Sequence, residues 1–257
     1  MSEDNPYQAP QADVVQPQQA GERQLVAPQA CSAGSGWRWL AEAFSLFSRS
    51  AGMWIVVCLV LMGISLVSGV VPLGSVALSL FSYVLVAGMM LGCQSLEQGG
   101  ELSVEHLFRG FKHEAMGSLV ICGAVVLGVS ILLMVFMFVG AFVFAGMVAA
   151  FADLEQQFLA GSISLGLVLM ILIGTALMTW FAPALIVFHR LSAWDAMKQS
   201  FLGCLKNIVP FLVYGLFGLL LMIPAAITFG LALLVLVPVG VITMYTSYKA
   251  VFTQSLE

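Results

Sequence analysis

Four long stretches without a charged residue set the limits on what this chain can fold into. Forty-seven uncharged residues separate Arg49 from Glu97, and 38 separate Glu114 from Asp153. Residues 156–189 add 34 more, and residues 207–248 add 42. A soluble domain exposes most of its helices and strands to water and needs charges throughout. Here charged residues are only 9% of 257, against about 25% in ordinary soluble domains. Each stretch is long enough to cross roughly 30 Å of hydrocarbon, which takes about 20 apolar residues in a helix. The expected fold class is therefore all-α: a polytopic membrane helical bundle.

The spans can be placed. The first is expected at 52–71 and the second at 75–93, with Pro72-Leu73-Gly74 as the turn of a hairpin, since proline and glycine do not continue a helix easily. The third begins at Gly117 and the fourth runs over 164–183. The apolar run from Ile208 to Tyr248 is too long for one helix and should fold into two, 208–226 and 229–248. The third segment stays apolar to Ala150. As one helix its 34 residues would measure about 51 Å. It must tilt, kink near Gly140 or Gly146, or protrude past a span of 117–140. Splitting it would give seven spans.

Basic residues choose between six and seven. Lys and Arg are retained on the cytoplasmic side of a membrane. With six spans, all nine bases fall on one side: Arg23, Arg38, Arg49, Arg109, Lys112, Arg190, Lys198, Lys206 and Lys249. The outer segment 151–163 carries Asp153 and Glu155 instead. Seven spans would push Arg190, Lys198 and Lys206 outside. Trp37, Trp39, Trp54, Trp180 and Trp194 also fall near the cytoplasmic boundary, where indole rings anchor. Six spans with both termini cytoplasmic is the reading, in a membrane domain over 37–252 with a short tail at 253–257.

Residues 1–36 are polar, contain four prolines and seven glutamines, and do not open with a signal peptide's basic and apolar regions. They are expected to form a disordered cytoplasmic arm. Asn5, Pro6, Tyr7, Ala9 and Pro10 are its candidate contacts for a protein partner.

Each pair of spans follows a stretch with apolar residues at helical spacing. Trp37, Leu40, Ala41, Phe44 and Phe47 mark the first, over 37–50. Val104, Leu107, Phe108 and Phe111 mark the second, over 103–115. Ala193, Met197, Phe201 and Leu205, beside Trp194, mark the third, over 192–205. Such helices can lie in the headgroup region with charges up and apolar side down. Ser192 with Asp195 fits a capping box. The chain thus reads as three units, each a cytoplasmic interfacial amphipathic helix followed by a transmembrane hairpin, against the plainer reading that short loops often look like this.

The spans are chemically bare. An ionisable residue inside the membrane would mark an ion or proton path, because its burial is costly; none lies in a span interior. Intramembrane polar residues are chiefly hydroxyls: Ser65, Ser68, Ser79, Ser130, Thr175, Thr179 and Thr243. Each can bond a carbonyl of its own helix. Five cysteines, Cys31, Cys58, Cys93, Cys122 and Cys204, form no Cys-x-x-Cys pair. With His106, His113 and His189 they make no closed metal-ligand set. No catalytic residues, cofactor or metal are expected. The net charge of −4 and the lack of basic clusters exclude nucleic acid. Gly88-x-x-x-Gly92 and the stripe Ala141, Ala145, Ala149 let helices approach closely, inside the monomer or between copies in a homo-oligomer.

Several motifs, in their order, resemble an uncharacterised family of proteobacterial six-span inner-membrane proteins. They are Asn5-Pro6-Tyr7-Gln8-Ala9-Pro10, Leu107-Phe108-Arg109-Gly110-Phe111, the stretch Ala193–Asn207, and Tyr245-Thr246-Ser247-Tyr248-Lys249-Ala250-Val251-Phe252. That family is distantly similar to the membrane region of glycerophosphodiester phosphodiesterases, whose separate catalytic domain has no counterpart here. The resemblance implies a bacterial inner-membrane location and brings no active site. An acid usual in the family after the terminal base is replaced by Ala250.

Two functional expectations follow. One is a non-enzymatic scaffold, assembly factor or lipid-interacting module working through its cytoplasmic face, with membrane lipids and an arm-bound protein as partners. The alternative is a passive transporter or channel for an apolar or lipid-like solute, its route lined by hydroxyls, Gln94 and Asn207.

Overall fold

The computed structural model describes residues 24–149 and 154–254, without the side chains of 143–145, 147–149 and 154–160. The arm residues Asn5, Pro6, Tyr7, Ala9 and Pro10 lie outside the described residues, as does the side chain of Ala145. Six helical segments are long and apolar enough to cross a membrane: Ala51–Val70, Gly74–Glu97, Met116–Phe142, Gly161–His189, Ile208–Ile227 and Leu233–Phe252. The protein is an all-α, multi-pass membrane protein.

A short strand β1 (Gln24–Leu25) leads to helix α1 (Ser35–Ser48). Helices α2 (Ala51–Val70) and α3 (Gly74–Glu97) are joined by a three-residue turn at whose end Leu73 takes a left-handed φ of 63°. Helix α4 (Glu105–Arg109) and a 3-10 turn (Gly110–Lys112) lead to α5 (Met116–Ala149). Then follow α6 (Leu154–Thr179), α7 (Ala182–His189), α8 (Ala193–Lys206), α9 (Ile208–Ile227), α10 (Leu233–Phe252) and strand β2 (Thr253–Gln254).

Helix α5 runs antiparallel to α3, and the C-terminal ends of α3 and α10 meet, so the molecule has a charged end and an apolar end. The charged end carries α1, α4, α8 and both strands. The apolar end carries the turns at Val71–Leu73 and Thr228–Ala232. The core sits toward the charged end: Trp39, Trp54, Met90, Leu107, Leu185, Ile186, Ile242 and Phe252 are all buried. Toward the apolar end Val70, Phe138, Phe142, Leu219 and Phe229 are exposed. An apolar surface of that extent needs hydrocarbon around it.

The third span is one helix of 34 residues, continuous in its hydrogen bonding through Gly140 and Gly146. A Cβ on Gly123 would meet the Leu80 carbonyl. Beyond that contact α5 continues for about 39 Å, whereas α3 has only about 9 Å left. The extra length therefore outreaches α3 or leans away from it.

The fourth span departs from a single helix. It breaks at Trp180–Phe181 and resumes as α7, with Pro183 in its first turn. Proline has no N–H to give the carbonyl four residues back, so a break upstream of it is expected. Ser200 of α8 fills the gap. Its hydroxyl accepts from Phe181 N at 3.0 Å and donates to Leu177 O at 2.8 Å. In a continuous helix those two backbone groups would bond each other.

The linker expected as one surface helix over 103–115 is shorter and differently placed. It folds back along α3. Leu102 packs at Gly92, the carbonyls of His106 and Leu107 at Gly88, and Gly110 at Val84. Phe111 meets Phe81 at a ring separation of 5.5 Å. From Gly92 to Phe81 this descent covers about 16 Å of α3. A Cβ on Gly88 would lie 2.4 Å from the His106 carbonyl oxygen, so Gly88 and Gly92 form a groove for the protein's own linker.

Candidate functional site

The densest polar chemistry lies at the charged end, around the last turns of α10. Five consecutive side chains there are tied to surrounding helices or to α10 itself. Tyr245 donates its hydroxyl to Glu97 Oε2 of α3 at 2.6 Å. Thr246 donates to the Trp39 carbonyl of α1 at 2.9 Å. Ser247 accepts from Trp180 Nε1 at 3.2 Å and donates back to Thr243 O. The Tyr248 hydroxyl pairs with His189 Nε2 of α7. Lys249 forms an ion pair with Glu97 Oε1, its ammonium also 5.4 Å from the Tyr245 ring centre. Successive residues on a helix point about 100° apart, so polar side chains at five successive positions find partners all round only at the centre of a bundle.

The ion pair is mostly withdrawn from water, with Lys249 and Glu97 side chains 18% and 27% exposed. A pair so placed is stable only when further hydrogen bonds satisfy the carboxylate. Tyr245 supplies one. Beside this pair opens a cleft of about 320 Å³. One wall is the α1 stripe Glu42, Ser45 and Leu46 with Arg49 just beyond; Glu97, Thr246 and Lys249 form the other. Arg49 reaches the Leu96 carbonyl in the last turn of α3 at 3.4 Å, where a cation suits the negative end of the helix.

The segment before α1 is docked onto the same end. Gln24 and Leu25 pair antiparallel with Gln254 and Thr253. Val26 N and Gln29 N donate to the carbonyls of Phe252 and Val251, both at 2.9 Å. Asn207, fully buried, accepts from Cys31 N at 2.8 Å and donates to the carbonyls of Gln29 and Gly203 at 2.8 and 2.9 Å. Lys206 adds a bond to Pro28 O at 3.1 Å. Residues 24–34, which sequence reading assigns to the arm, form a strap across the ends of α9 and α10. Asn207 is its clamp, and its polar atoms are taken up there.

The seven serine and threonine hydroxyls singled out from the sequence all bond their own helix. Ser65, Ser68, Ser79, Ser130, Thr175, Thr179 and Thr243 each donate to the carbonyl four residues back, at 2.7–2.9 Å. The three histidines are engaged separately. His106 Nδ1 accepts from Ser103 N at 3.2 Å, His113 Nδ1 from Ala115 N at 3.2 Å, and His189 meets Tyr248. Burial first, and the nearby Arg109 charge second, hold His106 below the usual histidine range. Burial pushes the Cys204 thiol up to about 12 and raises that of Cys31. Among the described residues no three His, Cys, Asp or Glu side chains come together as metal ligands.

The residues expected at the membrane boundary divide. Trp37, Phe108 and Trp194 are exposed; Phe44, Phe111 and Phe201 are half-buried; Phe47 is buried. Trp39 and Trp54 are core residues. Trp37 lies against Phe217 of α9 at 4.7 Å. Ala141 is exposed. Sequence reading missed the α10 hub, although six of residues 243–249 carry polar side chains at the end of an apolar span. The terminal base Lys249 finds its acid on another helix, in Glu97 of α3.

Comparisons with protein-family models, with curated proteins and with solved structures find no match for this chain.

Proposed function

We propose that the charged end is the working surface of a non-enzymatic inner-membrane scaffold, assembly factor or lipid-interacting module. On this reading the charged end faces the cytoplasm, as the one-sided placement of the nine bases favours. The resemblance to proteobacterial six-span inner-membrane proteins gives the same location. The three hairpins stand on the helices of the charged end, and residues 1–23 supply the contact to a protein partner.

One observation carries this reading. Polar bonding between helices among the described residues is concentrated at the charged end, while Ser65, Ser68, Ser79, Ser130 and Thr175 each bond their own helix. A span whose hydroxyls are satisfied locally offers a polar solute few groups to hold. The core and the cleft lie at the charged end. The test is removal of residues 1–23 with the strap left in place. The expected result is loss of co-isolated protein with an unchanged thermal midpoint in detergent. Identical co-isolated proteins with and without these residues would overturn the partner role of the arm.

A further inference from the structure

Two of the four charges in the cleft beside α10 neutralise each other, and two are left for something else. Glu97 and Lys249 form the ion pair, backed by Tyr245. Glu42 and Arg49 stand seven residues apart on one stripe, about 10 Å along a helix axis. They form no salt bridge with one another or with any other described residue. Among the described residues Arg49 reaches only the Leu96 carbonyl, at the long distance of 3.4 Å. Ser45 and Leu46 lie between them on the same wall. The cleft therefore presents an acceptor carboxylate, a hydroxyl, an apolar floor and a fork of guanidinium donors, in that order.

Its formal charge is zero, with two acids against two bases. A net-neutral cleft gives no overall attraction to a simple anion or a simple cation. It favours a molecule that carries both signs at a separation. The guanidinium matches a phosphate, which it can hold by two parallel bonds. The carboxylate matches an ammonium that has hydrogens to donate. A quaternary ammonium would need an aromatic face, and the Tyr245 ring in this neighbourhood already faces the Lys249 ammonium. The volume, about 320 Å³, is at the small end for a ligand site, suited to a headgroup. The position fits as well: Arg49 lies two residues before the span of α2, and Glu97 ends that of α3. The cleft opens at the ends of the apolar spans.

We infer that this cleft binds a zwitterionic aminophosphate group, its primary ammonium on Glu42 and its phosphate on Arg49. The inference rests on the charged end being the working surface, and it names the ligand class of that surface. The group can come from an aminophospholipid of the surrounding membrane or from a soluble glycerophosphoethanolamine.

The full chain in nanodiscs or mild detergent tests it, with retained lipid counted by native mass spectrometry. Vesicle lipids with a phosphoethanolamine, phosphocholine or phosphoglycerol headgroup are offered in equal amounts. Phosphoethanolamine lipid should be retained over the other two. E42Q should cut its advantage over phosphocholine, and R49Q its overall retention, each by about tenfold, the worth of one charged hydrogen bond. K198Q, on the exposed side of α8, should change neither. The reversed pair E42R/R49E keeps the total charge and should restore part of what either single reversal loses. Equal retention of the three lipids, or retention unchanged in E42Q and R49Q, overturns the inference. Competition by soluble glycerophosphoethanolamine identifies the headgroup alone as sufficient. Failure of that competition, with lipid retention still sensitive to Glu42 and Arg49, identifies the membrane lipid as the source. Loss of partner capture on removing residues 1–23, with no headgroup preference, would refute this inference and leave the proposed function standing.

Discussion

Replacing Asn207 with alanine should release the strap over residues 24–34 while leaving the bundle folded. The side chain makes three hydrogen bonds from a fully buried position. Two of them, to Cys31 N and Gln29 O, hold the strap; the third, to Gly203 O, stays within its own helical segment. A net hydrogen bond contributes about 1 kcal/mol, and a buried group left unpaired costs about 1–3 kcal/mol. Losing the two strap bonds should therefore weaken docking by about 2–3 kcal/mol. That converts to roughly 30–150-fold easier opening. Hydrogen exchange reads this directly, because a local opening has its own free energy. The informative amides are Val26 and Gln29. Their acceptors are the carbonyls of Phe252 and Val251, which the substitution does not touch. Faster exchange at those two sites therefore reports detachment of the strap and not merely the loss of one bond. Cys31 N should accelerate as well, but it would do so on either account. Exchange at Val26 and Gln29 within about threefold of the parent protein would refute the clamp role. It would assign the strap's stability to the β1–β2 pairing and Lys206 instead.

Further expectations follow from other contacts. Ser200→Ala removes the hydroxyl that bridges Phe181 N and Leu177 O, and should destabilise the protein by about 1–3 kcal/mol, read as a lower thermal midpoint in detergent. Gly88→Ala should force the 102–111 linker off α3 and speed tryptic cleavage after Arg109. Gly128→Ala, where a Cβ meets nothing within 4 Å, should leave cleavage unchanged. His106 is held below its ordinary value, so the folded state binds the proton less readily than the unfolded chain. Stability from this group is then complete above about pH 6.5, the ordinary histidine value, and falls as pH drops toward the lowered folded value. His106→Gln should flatten that part of the stability–pH curve; an unchanged slope would show that other groups set it.

The number of spans and the bareness of their interiors are legible in the sequence because the causes are local; the ends of the fourth and sixth are not, since these run over Gly161–His189 and Leu233–Phe252. Hydrocarbon demands about 20 apolar residues per helix, and a span hydroxyl finds its carbonyl four residues away. The close approach permitted by Gly88 and Gly92 is also visible, but not what fills it. Tertiary structure decided the rest. Glu97 and Lys249 lie 152 positions apart, and Asn207 lies 178 from Gln29. No periodicity connects such pairs. Ser200 looks like one more polar residue on α8 until the break before Pro183 leaves two backbone groups for it to join. Polar side chains that hold helices together are chosen by which orphaned groups the packing brings near them. That is why the polar hub at the charged end emerges only once the helices are assembled.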